Sequence, residues 1–168
     1  APGRMILAVA TSCDDTCAAV VTGAGEIRSN VVSSQGVHAR FGGVVPEVAS
    51  RAHLEMLEPV VGQALDDAGL TSAGGLGLGQ RPAIDAVAAT RGPGLIGALL
   101  VGVSSAKALA LAWDVPYVGV NHMEGHLFAT LLERPDLPLP AVVLLVSGGH
   151  TLLIEMRAPG RYRLLGST

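Results

Sequence analysis

The sequence predicts an α/β fold in which a mixed β-sheet is flanked by helices, and two observations lead to this prediction. Three short extended segments open the chain, and helices and strands then alternate. Consecutive short strands pair antiparallel, whereas strands separated by helices pair in parallel through right-handed crossovers. The chain has 168 residues, of which 49% are hydrophobic and 15% are charged, so it is long and apolar enough to build a packed core.

Each predicted element has a local signal. Apolar runs separated by polar or glycine-containing turns predict opening strands at 5–10, 17–21 and 27–33. Apolar residues at helical spacing predict a helix over 46–68 that ends at Gly69; they are Val48, Leu54, Leu57, Val61 and Leu65. After a flexible, glycine-rich connection at 71–82, the alternating part comprises strands at 84–90 and 117–120 and helices at 95–113 and 123–132. This order of elements is that of a ribonuclease-H-like lobe.

The opening pattern returns near the end of the chain. Apolar runs at 141–146 and 152–156 flank a small polar turn, and 161–165 predicts a third strand. We therefore predict a first ribonuclease-H-like lobe at 5–138 and the opening strands of a truncated second lobe at 140–168. No predicted helix remains to cover this second sheet, so we expect its strands to form a homodimer or to aggregate.

Charge and cysteine usage restrict the functional class. The net charge of −3 provides no general basic field for nucleic acid, so any RNA contact must be local or shared with a partner. Cys13 and Cys17 have the spacing of neither a zinc site nor a secreted disulfide framework, which favours a reducing, cytoplasmic setting. The apolar segment 95–115 is long enough to cross a bilayer, but Lys107 interrupts it. We interpret it as a core helix and expect no membrane association.

Two histidines, His122 and His126, are four residues apart and therefore lie on one face of a helix. This spacing lets both imidazoles reach one metal ion. It also fits two hydrogen-bonded histidines near a strand end, and the residues alone leave both interpretations open. Glu124 lies on the helix where it points away from both rings, so a third ligand is missing nearby.

Three turns are candidate ligand sites. Asp14 and Asp15 lie between the first two strands, and Ser147-Gly148-Gly149 lies in the corresponding turn of the second lobe. Small residues let backbone N–H groups approach phosphate oxygens, and a carboxylate can hold a cation or orient a nucleophile. Arg91-Gly92-Pro93-Gly94 precedes a helix at the carboxyl edge of the sheet, where α/β proteins place ligands. Each of these segments alone also fits an ordinary turn.

Five segments, taken in order, resemble the bacterial TsaD-type family of tRNA threonylcarbamoyladenosine transferases, in the actin/Hsp70-like superfamily. They are TSCDDT at 11–16, GGVVPEVASR at 42–51, GPGLIGALLVG at 92–102, HMEGH at 122–126 and LVSGGHT at 145–151. The resemblance implies an actin-like ATPase fold. It also implies transfer of threonylcarbamoyl from its adenylate to N6 of the adenosine beside the anticodon.

The resemblance also implies roles for individual residues. His122 and His126 would bind a divalent metal, iron by resemblance with zinc as the alternative, and Asp14 and Asp15 would face the catalytic cleft. The segment Leu145, Val146, Ser147, Gly148 and Gly149 would bind threonylcarbamoyl adenylate. The implied partners are tRNA, a paralogous TsaB-type subunit and a TsaE-type ATPase.

Two departures from the family pattern limit what the resemblance implies. The family usually has Glu where this chain has Ala10, and its members are roughly twice as long, with an acidic third metal ligand in the remaining half. We therefore expect the chain alone to bind metal weakly and to be a poor catalyst. A scaffold or dimerisation module is the alternative function. A sugar or carboxylate kinase of the same superfamily is less favoured, because it has no use for the histidine pair.

Overall fold

The computed structural model describes residues 3–71, 80–149 and 151–168. Contacts divide the chain into two compact units, Ala1–Asn121 and His122–Thr168, and each is described by itself. Most of the predicted glycine-rich connection at 71–82 lies outside the described residues. The predicted lobe boundary at 138–140 stays a prediction, although the contacts place the helix before it in the second unit.

The first unit contains a five-stranded mixed sheet with the order β3-β2-β1-β4-β5. Its strands are β1 (Met5–Ala10), β2 (Asp15–Thr22), β3 (Ile27–Ser34), β4 (Ala86–Gly92) and β5 (Tyr117–Asn121). The first three form an antiparallel meander, while β4 pairs parallel to β1 and β5 parallel to β4. This topology confirms the predicted α/β, ribonuclease-H-like class. Because β1 and β4 are parallel, the turns that follow them lie at the same edge of the sheet.

Two helices, α1 (Pro46–Asp67) and α2 (Ile96–Ala112), pack against each other and against the sheet. Their apolar sides join residues such as Leu7 and Val20 in one buried cluster. Helix α1 ends as predicted, because Gly69 adopts a φ of 71° and the next residue, Leu70, donates its N–H back to Leu65 O. A short 3₁₀ segment, Gly36–Phe41, was not predicted. Leu54, which the periodicity predicts on the buried face of α1, is 67% exposed.

Helix α2 is apolar nearly all round, as the sequence predicts for 95–113. Its side chains Val101, Ala106 and Ala110 are buried in the core of the first unit. Within the described ranges, no helix is both long and apolar enough to cross a membrane.

The second unit contains helix α3 (His122–Glu133) and an antiparallel sheet of β6 (Ala141–Val146), β7 (Thr151–Ala158) and β8 (Arg161–Ser167). Here the structure corrects the expectation that no helix covers this sheet. Helix α3 packs against β6, and its Leu127 is buried with Leu145 and Ile154. The sequence did not reveal this contact because its lobe boundary at 138–140 places the helix in the first lobe.

Candidate active site

The turn between β1 and β2 is held from three sides in the first unit. Ser12 O accepts the N–H of Leu95 at 2.9 Å, Cys13 O lies 3.0 Å from His53 Nε2, and Asp14 O accepts the N–H of Gln35 at 3.2 Å. The donors come from the start of α2, from α1 and from the segment after β3. The backbone of the turn is therefore fixed by packed elements rather than only by its own hairpin.

Asp14 and Asp15 belong to this fixed turn, and both are accessible. Asp14 is half-buried and Asp15, the first residue of β2, is exposed. Burial is the largest cause of a raised pKa of the Cys13 thiol, and the hydrogen bond to Asp14 and the charge of Asp14 raise this pKa further. Burial and then the charge of Asp15 raise the pKa of Cys17. Both free cysteines therefore stay protonated at neutral pH, so the turn offers carboxylates rather than a thiolate nucleophile.

The loop after β4 reaches the same edge of the sheet, as its position before α2 predicts. Gly94 has a φ of 159°, and a Cβ at this position would meet Ser12 O at 2.6 Å. Deeper in α2, a Cβ on Gly102 would collide with Thr11 Oγ1. The glycines at 94 and 102 thus let α2 approach the turn without a side chain between them. Because α2 lies this close, Thr11 Oγ1 donates a 2.7 Å hydrogen bond to Ala98 O.

The second unit contains the histidine pair at the start of α3. The Nε2 atoms of His122 and His126 are 3.2 Å apart, and the rings meet edge to face. Two imidazoles that bind one tetrahedral divalent metal at their usual bond lengths place their nitrogens about 3.3 Å apart. The same separation is that of a hydrogen bond between neutral rings, so the geometry fits both interpretations of the sequence. Burial and the neighbouring His126 lower the pKa of His122, which favours the neutral form that ligates metal.

Glu124 is not a third ligand in this arrangement. Its Oε1 accepts a 3.0 Å hydrogen bond from the Tyr162 hydroxyl on β8, which agrees with its predicted orientation away from the histidines. In the part of the chain that the structure describes, no three His, Cys, Asp or Glu side chains cluster as a metal site.

The turn between β6 and β7 is accessible, and the structure describes three of its residues. Ser147, Gly148 and Gly149 are exposed, and a Cβ on either glycine would meet no atom within 4 Å. Val146 is 69% exposed, whereas Leu145 is 8% exposed and packs in the core of the second unit. Any ligand contact of Leu145 would therefore use its backbone. His150, the next residue, lies outside the described residues.

Comparison with known proteins decides the family. The family model for TsaD, tRNA N6-adenosine threonylcarbamoyltransferase, matches residues 26–168. The chain belongs to the TsaD family. Relatives carrying that enzyme name are 57% identical in Trichlorobacter lovleyi and 49% identical in Clostridium perfringens; the alignments cover 98% of this chain but 45% and 46% of those proteins. The chain therefore spans about half the length of the curated TsaD relatives it matches.

The fold comparison agrees with this assignment at the level of architecture. YeaZ from Pseudomonas aeruginosa is similar with a TM-score of 0.59 and 21% identity, over 98% of this chain and 66% of that chain. At this identity the likeness shows the fold alone, and it supports the actin-like architecture implied by the TsaD resemblance.

The site residues that the sequence analysis missed surround the first turn of this TsaD-family chain. His53, Thr16, Gln35 and His38 form one hydrogen-bonded group beneath it. One signal was available: His53 occupies the buried stripe of α1, where Ala49 and Leu57 are its helical neighbours. A polar residue in an apolar stripe requires a buried partner.

Proposed function

We propose that this chain acts in threonylcarbamoyl transfer from threonylcarbamoyl adenylate to N6 of the adenosine beside the tRNA anticodon. The observation that carries the proposal is the 3.2 Å pair of imidazole nitrogens on α3 in a chain of the TsaD family. In the reaction, N6 attacks the carbamoyl carbonyl carbon and forms a C–N bond. The bond from that carbon to the phosphate oxygen breaks, AMP leaves, and N6 loses one proton.

The accessible polar turns supply the proposed residue roles. Asp14 and Asp15 orient the amine and receive its proton, since their carboxylates are accessible on a fixed backbone. The exposed turn Ser147-Gly148-Gly149 offers backbone N–H groups to the phosphate of the adenylate, and Leu145 and Val146 lead the chain into it.

His122 and His126 would hold a divalent metal. When bound, such a metal polarises a carbonyl or phosphoryl oxygen as a Lewis acid. Imidazole ligands suit both iron and zinc, and we propose iron on the family resemblance. The test is the metal content of the purified chain, measured by mass spectrometry for the unchanged chain, His122→Ala, His126→Ala and Glu133→Gln. The histidine variants should lose bound metal, whereas the exposed Glu133 on the same helix provides a control that retains it. Equal metal content in all four proteins would contradict the ligand assignment.

Transfer itself is tested with threonylcarbamoyl adenylate, unmodified tRNA and a divalent metal, with and without the paralogous TsaB-type subunit. Digested tRNA is analysed for threonylcarbamoyladenosine. We expect product that decreases about 10²-fold in Asp14→Asn or Asp15→Asn, in line with the loss of a general base, and that is retained in Glu133→Gln. Absence of product under every condition, from a chain with a folded circular dichroism spectrum, would contradict catalysis by this chain.

A specific surface favours a second candidate function, that of a dimerisation scaffold in the same tRNA-modification complex. Helices α1 and α2 border an apolar groove of about 710 Å³, whose lining includes Leu54, Val61 and Trp113. Helix α2 also exposes Leu100 and Leu111, which do not line the groove, the latter at 84%. Exposed apolar surface of this kind is typical of protein interfaces. We propose a TsaB-type paralogue as its occupant and a TsaE-type ATPase as a further subunit, and we place the complex in the cytoplasm because its substrate is tRNA.

The two functions are separated by a binding measurement on matched variants. Leu54→Glu and Leu111→Glu should abolish association with the paralogue in size-exclusion chromatography with light scattering. Leu132→Glu, which introduces the same charge on α3 at a 44% exposed leucine, should leave it intact. Binding without transfer would assign the scaffold role. Equal binding by all variants would refute the groove and the exposed leucines of α2 as the interface.

A further inference from the structure

His53 is a fully buried histidine for which the proposed chemistry has no use. It lies on α1 with 0% exposure, surrounded by the apolar core residues of that helix. Both of its ring nitrogens have partners: Nε2 lies 3.0 Å from Cys13 O, and Nδ1 lies 2.8 Å from Thr16 Oγ1. Those two partners flank Asp14 and Asp15 in the chain. The imidazole therefore bridges the two ends of the segment that carries both carboxylates.

The partners determine which nitrogen carries the proton. A backbone carbonyl only accepts, so Nε2 of His53 must donate to Cys13 O. In the neutral ring Nδ1 then accepts from the Thr16 hydroxyl, which is itself fully buried. The Gln35 Nε2 amide lies 3.4 Å from the same Nδ1 and is a second N–H or O–H donor facing that nitrogen. The neutral tautomer with hydrogen on Nε2 satisfies every partner.

The same network continues to the loop before α1. Gln35 Oε1 accepts from His38 Nε2 at 2.8 Å, which leaves His38 Nδ1 to accept the N–H of Val45 at 3.3 Å. The backbone N–H of Gln35 also reaches Asp14 O. One connected set of hydrogen bonds thus joins the turn to the 3₁₀ segment and to the start of α1. Within the described residues, no buried side-chain nitrogen or oxygen lacks a partner.

This arrangement constrains the backbone and leaves the carboxylates accessible. The hydrogen-bond partners of His53 are Cys13 O, Thr16 Oγ1 and the Gln35 amide, and none is the Asp14 or Asp15 side chain. Removal of the imidazole would release two anchors of the turn without removing a reacting group. Misplacement of a catalytic group by about 1 Å costs about 10²-fold in rate.

We propose that His53 is a positioning residue, which fixes the turn bearing Asp14 and Asp15 through simultaneous hydrogen bonds to Cys13 O and Thr16 Oγ1. The catalytic part of this inference rests on the proposed function, whereas the structural part does not. A Gln at position 53 can present an amide N–H near the Nε2 position. Asn ends near Nδ1 and cannot reach Cys13 O.

The experiment compares the unchanged chain with His53→Gln, His53→Asn, Thr16→Val and Ser50→Ala. Ser50 provides the control because it lies one turn earlier on α1 and bonds Pro46 O of its own helix. Nitrogen-15 NMR reports the His53 tautomer, and amide hydrogen exchange reports the order of residues 13–16. We expect the Nε2–H tautomer in the unchanged chain and faster exchange of the turn in His53→Asn. Protection should be largely restored in His53→Gln, and exchange in Ser50→Ala should be unchanged.

Two further readouts make the outcomes distinct. Thr16→Val removes the anchor at Nδ1 without changing the ring, whereas His53→Asn removes the anchor at Nε2, so each should speed amide exchange of the turn relative to the unchanged chain. In the transfer assay His53→Asn should lower kcat about 10²-fold with KM nearly unchanged. An Nδ1–H tautomer, or equal turn protection in all variants, would overturn the inference. If the unchanged chain shows no transfer, the proposed function fails while the NMR comparison still decides the role of His53.

Discussion

Replacement of Gly102 by Ala tests the close approach of α2 to the first turn. A methyl group there would collide with Thr11 Oγ1 and lie 3.3 Å from Thr11 Cγ2. Thr11 is 1% exposed and donates to Ala98 O, so it has no open space into which to move. Relief of the collision requires either a shift of α2 or loss of this buried hydrogen bond.

The change in the free energy of unfolding of Gly102→Ala is the difference between two costs and one gain. Overpacking costs about 1–3 kcal/mol, and a buried hydrogen bond left unmade costs about 1–3 kcal/mol. The helix propensity gained by replacing Gly with Ala returns about 1 kcal/mol. With one of the two costs incurred the net loss is about 0–2 kcal/mol, and with both it is about 1–5 kcal/mol, so we expect a loss of about 2 kcal/mol. For a unit of this size, that loss lowers Tm by on the order of 10 °C.

The assay is thermal and urea unfolding of the unchanged chain, Gly102→Ala, Gly62→Ala, Thr11→Ala and the double variant Thr11→Ala/Gly102→Ala. Gly62→Ala provides the matched control, because Gly62 also lies inside a helix but a Cβ there would meet nothing within 4 Å. That substitution should stabilise the protein by about 0.5–1 kcal/mol through propensity alone. Thr11→Ala combined with Gly102→Ala should be less destabilising than the sum of the single changes, because the added methyl then has room. If Gly102→Ala stabilises the protein as Gly62→Ala does, the close-packing argument is wrong.

Three further predictions concern other parts of the chain. Leu127→Ala should destabilise the second unit by about 2–5 kcal/mol, since Leu127 is 3% exposed, whereas exposed Leu132→Ala should change its urea midpoint little. The lowered pKa of His122 means that the unfolded chain binds its proton more readily; unfolding free energy should therefore fall as pH drops through about 6.5, and fall less in His122→Gln. The raised pKa values of Cys13 and Cys17 should make iodoacetamide alkylation at pH 8 slower in the folded chain than in urea. Equal alkylation rates in the folded and unfolded chain would contradict the conclusion that both cysteines are protonated thiols.

Much of the fold could be predicted because its signals are local. Neighbouring residues determine the apolar runs that form strands, the end of α1 at Gly69 and the order of the elements. The observed sheet order agrees with these predictions. The observed strand boundaries differ from the predicted ones where polar residues belong to a strand. Strand β2 begins at Asp15 instead of Cys17 because Asp15 pairs with Ser34 across the sheet, which a single run of residues does not reveal.

The network beneath the candidate site could not be predicted in the same way. His53 is 37 residues from Thr16 and 40 from Cys13, so their contacts depend on the packing of α1 against the meander. The histidine pair, in contrast, was readable because four-residue spacing on a helix places both rings together. Spacing predicts sites within one element, whereas sites assembled from several elements require the tertiary structure.

The expectation that the second sheet associates is now restricted to its outer face, which α3 does not cover. Helix α3 covers one face, but β6 still exposes Val142, Leu144 and Val146, at 64%, 63% and 69%. These alternate residues share one side of the strand because side chains alternate in direction. Full burial of each side chain would contribute about 1.5–3 kcal/mol to association.

Substitution on the two faces of β6 distinguishes association from folding. Leu144→Thr with Val146→Thr should lower the self-association constant in sedimentation equilibrium while leaving the unfolding midpoint nearly unchanged. Val143→Thr, one residue away on the face that packs toward α3, should do the reverse and destabilise the unit, because it buries a hydroxyl among apolar side chains. A monomer at high concentration for the unchanged chain would show that the exposed β6 residues do not drive association.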